Sequence, residues 1–290
     1  MSTTEEKAAQ PEAGATAPDD ANDLRGYYFR QLLGRTSVRL AIGAAAIVGF
    51  TVGMPLGGPL IGAAGFAGLA LVAVLVVFGI ADSRAEDAFF ADYCSWRGMF
   101  LYDKERLPEA TPLLCKGDDR YAERALKGPL GEGVEGTLAL FAYEERRASA
   151  QGGTETDYYR YTLGLTQVPE CIGFVPELYC RRKFGPQALE KLEDTFRRSY
   201  QRVELESEAL SKRYEIFVAK AQDAIWLRRL FSPTFIVWLA DTAPEKFAFE
   251  LVDGTLCCYV NDYRKNAKEL DAVRSATAAV AMRLRDEATE

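Results

Sequence analysis

The chain has 290 residues, a formal net charge of −7 and no histidine. Because histidine is absent from the sequence, Ser-His-Asp and Cys-His catalysis and His-ligated zinc and iron sites are excluded. The acidic balance argues against a nucleic-acid partner, because phosphate contacts require a basic surface. An enzyme built on this chain would have to use carboxylates, lysine, tyrosine or a thiol.

The first residues are predicted to form a disordered tail followed by an interfacial helix. Residues 1–23 are rich in Ala, Glu, Asp, Pro, Thr and Ser, and such a segment buries too little apolar surface to offset the entropy of ordering. Residues 24–37 place Tyr27, Tyr28 and Phe29 among arginines. That composition is typical of a helix lying at a membrane surface.

A long apolar run follows, with no charged side chain between Arg39 and Asp82. One spanning helix needs about 20 apolar residues, so the run is about twice too long for one span. Residues 54–59 contain two prolines and two glycines, which break a helix and favour a tight turn. The sequence therefore predicts a two-helix transmembrane hairpin over residues 38–81. An apolar core hairpin of a soluble protein is disfavoured, since soluble helices rarely lack charge all round.

Basic residues at both ends of the run predict its orientation. They are Arg25, Arg30, Arg35 and Arg39 before the run and Arg84 and Arg97 after it. Because basic residues near span ends stay cytoplasmic, both termini are predicted to face the cytoplasm. The protein is thus expected to be a multi-pass protein of the cell (inner) membrane, with the lipid bilayer as its first partner.

Small residues at a spacing of four predict how the two spans pack. The candidate packing residues are Gly49, Gly53, Gly58, Gly62 and Gly68. This spacing lets helix backbones approach closely in lipid. The glycines could form the face of a homo-oligomer, but packing of the two spans on each other is favoured, because such patterns are frequent in Gly/Ala-rich spans. No ionisable residue lies inside either span, which argues against a transporter.

Residues 82–290 are predicted to form a cytoplasmic α+β domain, with antiparallel β-hairpins packed by helices on one face. Strands are predicted at 137–143, 158–168, 214–218, 247–251 and 255–260, with an alternating segment at 202–210. Helices are predicted at 85–99, 121–126, 186–198 and 262–287, with two further helix starts at Asp223 and Ser232-Pro233.

For each candidate chemical motif in this domain, a structural role is favoured over a functional one. Residues 131–136 match G-x-G-x-x-G, but they precede a predicted strand and carry two glutamates, so a turn is favoured over a dinucleotide site. Glu204, Glu206 and Glu208 are interpreted as a solvated edge. The six cysteines include no CxxC pair and are interpreted as reduced, buried thiols. No cofactor and no metal is predicted.

An aromatic stripe lies in the C-terminal half, formed by Trp226, Phe231, Phe235 and Trp238. It could dip into the bilayer interface, where Arg228 and Arg229 would meet headgroups. The hydrophobic core is favoured, because aromatic stripes at helical spacing normally face inward.

Part of the domain resembles a family of uncharacterised bacterial (actinobacterial-like) two-span membrane proteins with a cytoplasmic α+β domain of unknown function. The resemblance rests on 205–208, 213–218, 222–223, 230–235, 247–250 and 253–254. A related pattern is similar to the membrane-anchored domain beside ubiquitin-ligase RING modules, although RING ligand spacing is missing here. The resemblance includes no known catalytic residue and implies no activity.

The sequence thus predicts a membrane-anchored binding or scaffolding module rather than an enzyme. Its expected partner is another membrane protein or a cytoplasmic protein brought to the bilayer. Two alternatives remain: a membrane-associated enzyme that uses carboxylate or thiol chemistry, and a structural hairpin that oligomerises through its glycines.

Overall fold

The computed structural model describes residues 20–148, 153–183, 200–205, 207–220, 222 and 224–289. These residues belong to two compact units, of which the first ends at Asp92 and the second begins at Tyr93. Most of the predicted tail and the predicted helix at 186–198 lie outside the described residues.

Two helices build the first unit: α1 (Ala21–Gly34) and α2 (Thr36–Arg97), of which residues 93–97 belong to the second unit. The Asp20 carboxylate accepts a hydrogen bond from the Asn22 backbone N–H, so α1 begins three residues before the predicted start and within the segment predicted as tail. Helix α2 is long and apolar enough to cross a membrane.

Helix α2 is interrupted at Gly57 and Gly58, the position of the predicted turn. Gly58 has φ +81° and ψ −168°, a backbone conformation that favours glycine. Residues on the two sides of this break approach closely: a Cβ at Gly49 would lie 2.6 Å from the Gly65 carbonyl carbon. The helical segments therefore pack backbone to backbone at these two glycines.

The second unit is a nine-stranded sheet in the order β1-β2-β3-β4-β9-β8-β5-β7-β6. Every described pairing is antiparallel. The strands are β1 (Phe100–Glu105), β2 (Asp119–Gly131), β3 (Val134–Ala148), β4 (Thr154–Gln167), β5 (Glu177–Arg182), β6 (Tyr200–Val203), β7 (Tyr214–Ala219), β8 (Ala248–Val252) and β9 (Thr255–Asn261). The α+β class and the antiparallel sheet predicted from sequence are confirmed.

Short helical elements connect these strands, and one long helix follows them. They are the 3-10 turns Leu113–Cys115 and Pro169–Cys171, the helices α3 (Glu208–Arg213), α4 (Ala224–Leu230) and α5 (Pro233–Val237), a π-helical turn Trp238–Thr242, and α6 (Ala267–Thr289). The predicted cap at Ser232 is confirmed, since its hydroxyl accepts from the Phe235 backbone N–H. Asp223, the other predicted cap, lies outside the described residues.

Helix α6 covers one face of the sheet. Its buried residues include Leu270, Val273, Val280 and Leu284 at helical spacing. The helix approaches the sheet closely above Gly164 on β4, where a Cβ would lie 2.8 Å from Cβ of Thr277.

Gly164→Ala is therefore expected to lower the free energy of unfolding by about 1–3 kcal/mol, because the added methyl must push α6 away from the sheet. Urea unfolding of the purified full-length protein, followed by tryptophan fluorescence, measures this change. Gly153→Ala is the matched control, since nothing lies within 4 Å of a Cβ at that position. Equal destabilisation by both substitutions would contradict the packing argument.

Some predicted elements were wrong or misplaced. Residues 121–126 form part of strand β2 rather than a helix, because Ala122, Ala125 and Leu126 are buried by pairing with β3. The segment 202–210 is a strand only as far as Val203, and Ser207 then caps α3 by accepting from the Leu210 backbone N–H. In both places tertiary context overrides a local pattern.

The predicted loop at 144–156 is shorter than expected, because β3 continues to Ala148 and β4 begins at Thr154. These strand ends are polar and carry one ion pair within β3 and one between β3 and β4. Arg147 forms ion pairs with Glu145 at 3.1 Å and with Asp157 at 3.4 Å, an arrangement that supports pairing without an apolar face.

Candidate functional site

The sheet face opposite α6 carries a concentration of tyrosines. Side chains alternate along a strand, so Gly164 and Cys258 lie under α6 while Leu165 and Cys257, paired across β4 and β9, point to the other face. We call this other surface the tyrosine face and define it by Tyr143, Tyr159, Tyr161, Tyr179 and Tyr259.

Three of these tyrosines stack across β3 and β4. The Tyr143 ring is 4.8 Å from that of Tyr159 and 5.9 Å from that of Tyr161, with interplanar angles of 17° and 12°. Tyr259 meets Tyr161 edge to face at 5.8 Å. Tyr143 is fully buried, whereas Tyr159, Tyr161 and Tyr259 are half-buried, so the cluster is closed at its centre and accessible at its edge.

The segment between β1 and β2 covers part of the tyrosine face. Leu113 and Leu114 are buried in the same cluster as Tyr143 and Cys257, and Leu107 packs against that cluster. Gly117 then turns the chain with φ +80°, where a Cβ would lie 2.9 Å from the Tyr143 ring. A larger residue at this position would therefore clash with the stack.

A buried ion pair holds this segment to the sheet. Arg181 Nη2 on β5 lies 3.0 Å from Glu250 Oε1 on β8, and the two side chains are 9% and 2% exposed. The other Glu250 oxygen accepts from the Leu113 backbone N–H at 2.9 Å. Both carboxylate oxygens are thus engaged, as a buried charge requires.

Lys116 adds a second cation at the edge of this arrangement. Its Nζ lies 6.0 Å from the centre of the Tyr143 ring, and the residue is half-buried. Burial lowers the pKa of the Lys116 ammonium and Arg181 lowers it further, whereas Glu250 and Glu145 act in the opposite direction. The ammonium therefore stands in an environment that disfavours its charge.

The cysteines are poor candidates for a nucleophile. Burial raises the pKa of Cys94 to about 11 and that of Cys171 to about 12. It also raises the pKa values of Cys180, Cys257 and Cys258. Exposed Cys115 is shifted in the same direction by desolvation and by Glu109. Because the thiolate is the nucleophilic form, raised pKa values argue against a catalytic thiol among these cysteines.

The residues proposed for an interfacial surface do not form a single exposed patch. Trp226 is buried and its Nε1 donates to the Glu287 carbonyl at 3.3 Å, and half-buried Trp238 stacks on Phe235 at 5.6 Å. Arg228 and Arg229 are exposed. The two tryptophans therefore pack inward, whereas Arg228 is exposed and Arg229 forms an ion pair with the buried Glu287 at 3.2 Å.

The predicted packing glycines divide into two groups. A Cβ at Gly49, Gly53 or Gly62 would meet atoms of the opposing helical segment, whereas nothing lies within 4 Å of one at Gly58 or Gly68. Gly65, which the spacing rule missed, is the direct partner of Gly49.

Two other motifs noted in the sequence lie in a turn and on an exposed helix face. The G-x-G-x-x-G run spans the turn between β2 and β3, and Glu208 pairs with Lys212 on an exposed face of α3. Among the described residues, no group of three or more potential ligands could hold a metal ion.

The tyrosine face was not predicted from the sequence, although the spacing of its tyrosines is visible there. Tyr159-Arg160-Tyr161 places two tyrosines on one side of a strand, and Tyr259 follows the adjacent cysteines. The pairing of Arg181 with Glu250 has no such signal in the sequence, since 69 positions separate the two residues.

No family model, no curated protein and no solved structure matches this chain. The resemblance to two-span bacterial membrane proteins therefore stays a prediction.

Proposed function

We propose that the protein is a membrane-anchored binding module. In this proposal helix α2 crosses the cell membrane twice as a hairpin, both termini are cytoplasmic, and the β-sheet unit binds a partner through the tyrosine face. The partner is another membrane protein or a cytoplasmic protein recruited to the bilayer.

The exposed apolar surface of α2 is the observation that carries the membrane proposal. Leu40, Leu60, Leu71 and Leu75 are 68%, 83%, 60% and 59% exposed. Apolar side chains at such density require a cover other than water, and acyl chains supply it. A core helix of a soluble protein would instead be mostly buried.

The hairpin proposal is supported by the break at Gly57 and Gly58 and by the contact between Gly49 and Gly65. The same contact weakens the oligomer alternative, because Gly49 is already covered by its own chain. Raised pKa values of the cysteine thiols argue against the version of the enzyme alternative that uses thiol chemistry.

Thiol labelling tests the orientation, and Cys115 is the residue to use. Cys115 is exposed and the other five cysteines are buried. A membrane-impermeant maleimide is expected to leave Cys115 unmodified in intact cells and to label it after permeabilisation. Cys115→Ala is the control, in which the label should disappear. Labelling of Cys115 in intact cells would contradict a cytoplasmic domain.

Site-specific photocrosslinking in native membranes tests the binding face. A photoreactive residue at Tyr161 is expected to give one defined protein adduct. The same residue at Tyr158 is the control, because Tyr158 is 59% exposed and its side chain alternates to the other face. Equal adducts from both positions, or none from Tyr161, would count against the proposed face.

A further inference from the structure

Helix α1 lies where the two ends of the apolar run meet. Leu32 on α1 is buried together with Val77 and Ala81, near the end of the run. Val38 and Ile42, near the start of the run, pack against the same cluster. If the run crosses the bilayer, as in the proposed function, α1 lies at the level of the lipid headgroups.

One arginine at this level is compensated by a carboxylate. Arg25 Nε lies 3.3 Å from Asp82 Oδ1, and the Arg25 guanidinium lies over the Phe78 ring at 5.4 Å. Asp82 is the first charged residue after the apolar run. The ion pair and the ring contact therefore hold α1 against α2, and the two charges compensate each other.

Three further arginines at this level lack such compensation. Arg30, Arg35 and Arg39 are exposed, and none of them forms an ion pair with a carboxylate of the described residues. Arg30 Nε donates to the Gly26 carbonyl at 3.2 Å, and Arg39 Nε donates to the Leu33 carbonyl at 2.6 Å. A carbonyl oxygen orients a guanidinium but carries no net charge, so the positive charge of this group remains.

We propose that Arg30, Arg35 and Arg39 bind the phosphate groups of anionic phospholipids. A guanidinium presents several donors in a fork that matches phosphate oxygens, and anionic leaflets attract basic segments beside a span. Asp20 caps the start of α1 and Asp23 lies in its first turn, so the acids of this helix lie at the end opposite to Arg35. The inference rests on the proposed function, because it takes α2 as membrane-crossing.

Native mass spectrometry of the full-length protein, released from detergent micelles, tests the site. The measurement compares how much phosphatidylglycerol and how much phosphatidylcholine the protein retains from an equal mixture. The protein is expected to prefer phosphatidylglycerol. The triple variant Arg30→Gln, Arg35→Gln and Arg39→Gln is expected to reduce that preference about tenfold. Lysine at the same three positions keeps the charge and should keep most of the preference.

A second triple variant controls for the loss of three positive charges. Arg106→Gln, Arg146→Gln and Arg228→Gln remove three exposed arginines of the sheet unit and should leave the preference unchanged. Full preference in the first glutamine variant, or equal loss in both glutamine variants, would overturn the site. Membrane fractionation separates this failure from failure of the proposed function. A protein that stays in the membrane fraction without preferring phosphatidylglycerol contradicts only the lipid site, whereas a protein found in the aqueous fraction contradicts the anchor.

Discussion

Arg181→Met is expected to lower the free energy of unfolding of the β-sheet unit by about 3–5 kcal/mol, the cost of removing one partner from a buried ion pair. Glu250 is 2% exposed, so its carboxylate would remain buried without its guanidinium. The loss also loosens the covering segment, because the same carboxylate accepts from Leu113. Urea unfolding of the full-length protein, followed by tryptophan fluorescence, gives the change.

Two further variants separate the ion pair from side-chain size. Adding Glu250→Gln to Arg181→Met removes both charges while keeping an acceptor for Leu113, so the double variant should be more stable than Arg181→Met alone. Arg202→Met removes a surface pair with Glu215 and should cost about 0–1 kcal/mol. If Arg181→Met and Arg202→Met were equally mild, the buried pair would not hold the segment.

Gly49→Leu is expected to separate the two helical segments of α2, whereas Gly68→Leu should leave them together. A Cβ at Gly49 would lie 2.6 Å from the Gly65 carbonyl carbon, and backbone cannot move aside as a flexible side chain can. Overpacking of this kind costs about 1–3 kcal/mol or more. Nothing lies within 4 Å of a Cβ at Gly68.

The distance between two spin labels in detergent or nanodiscs measures this separation. Suitable positions are Ile47 and Phe66, which are exposed and line one groove between the segments, in a Cys115→Ala background. Gly49→Leu should lengthen and broaden the distance distribution, and Gly68→Leu should reproduce the parent. A short, narrow distance in Gly49→Leu would show that the close approach at Gly65 is not required.

Elements that depend on neighbouring residues were predicted well from sequence. The turn between β8 and β9 was recognised because Asp253 and Gly254 accept positive φ, which is 46° and 77° in the structure. The Ser232 cap and most of the final helix also depend on local pattern. Strand β2 was mistaken for a helix because Tyr121 to Leu126 has no strong alternation, and only pairing with β1 and β3 makes it extended.

The sequence by itself determined the uncharged run, its break at Gly57 and Gly58 and the capped helices, since each depends on residues close together in the chain. Only the tertiary structure decided that Gly49 meets Gly65 and that Lys116, Tyr143 and Glu250 share one face of the sheet. The last three come from separate segments, and strand order and register bring them together. No local sequence pattern encodes this arrangement, because it depends on which strands pair with one another in the sheet.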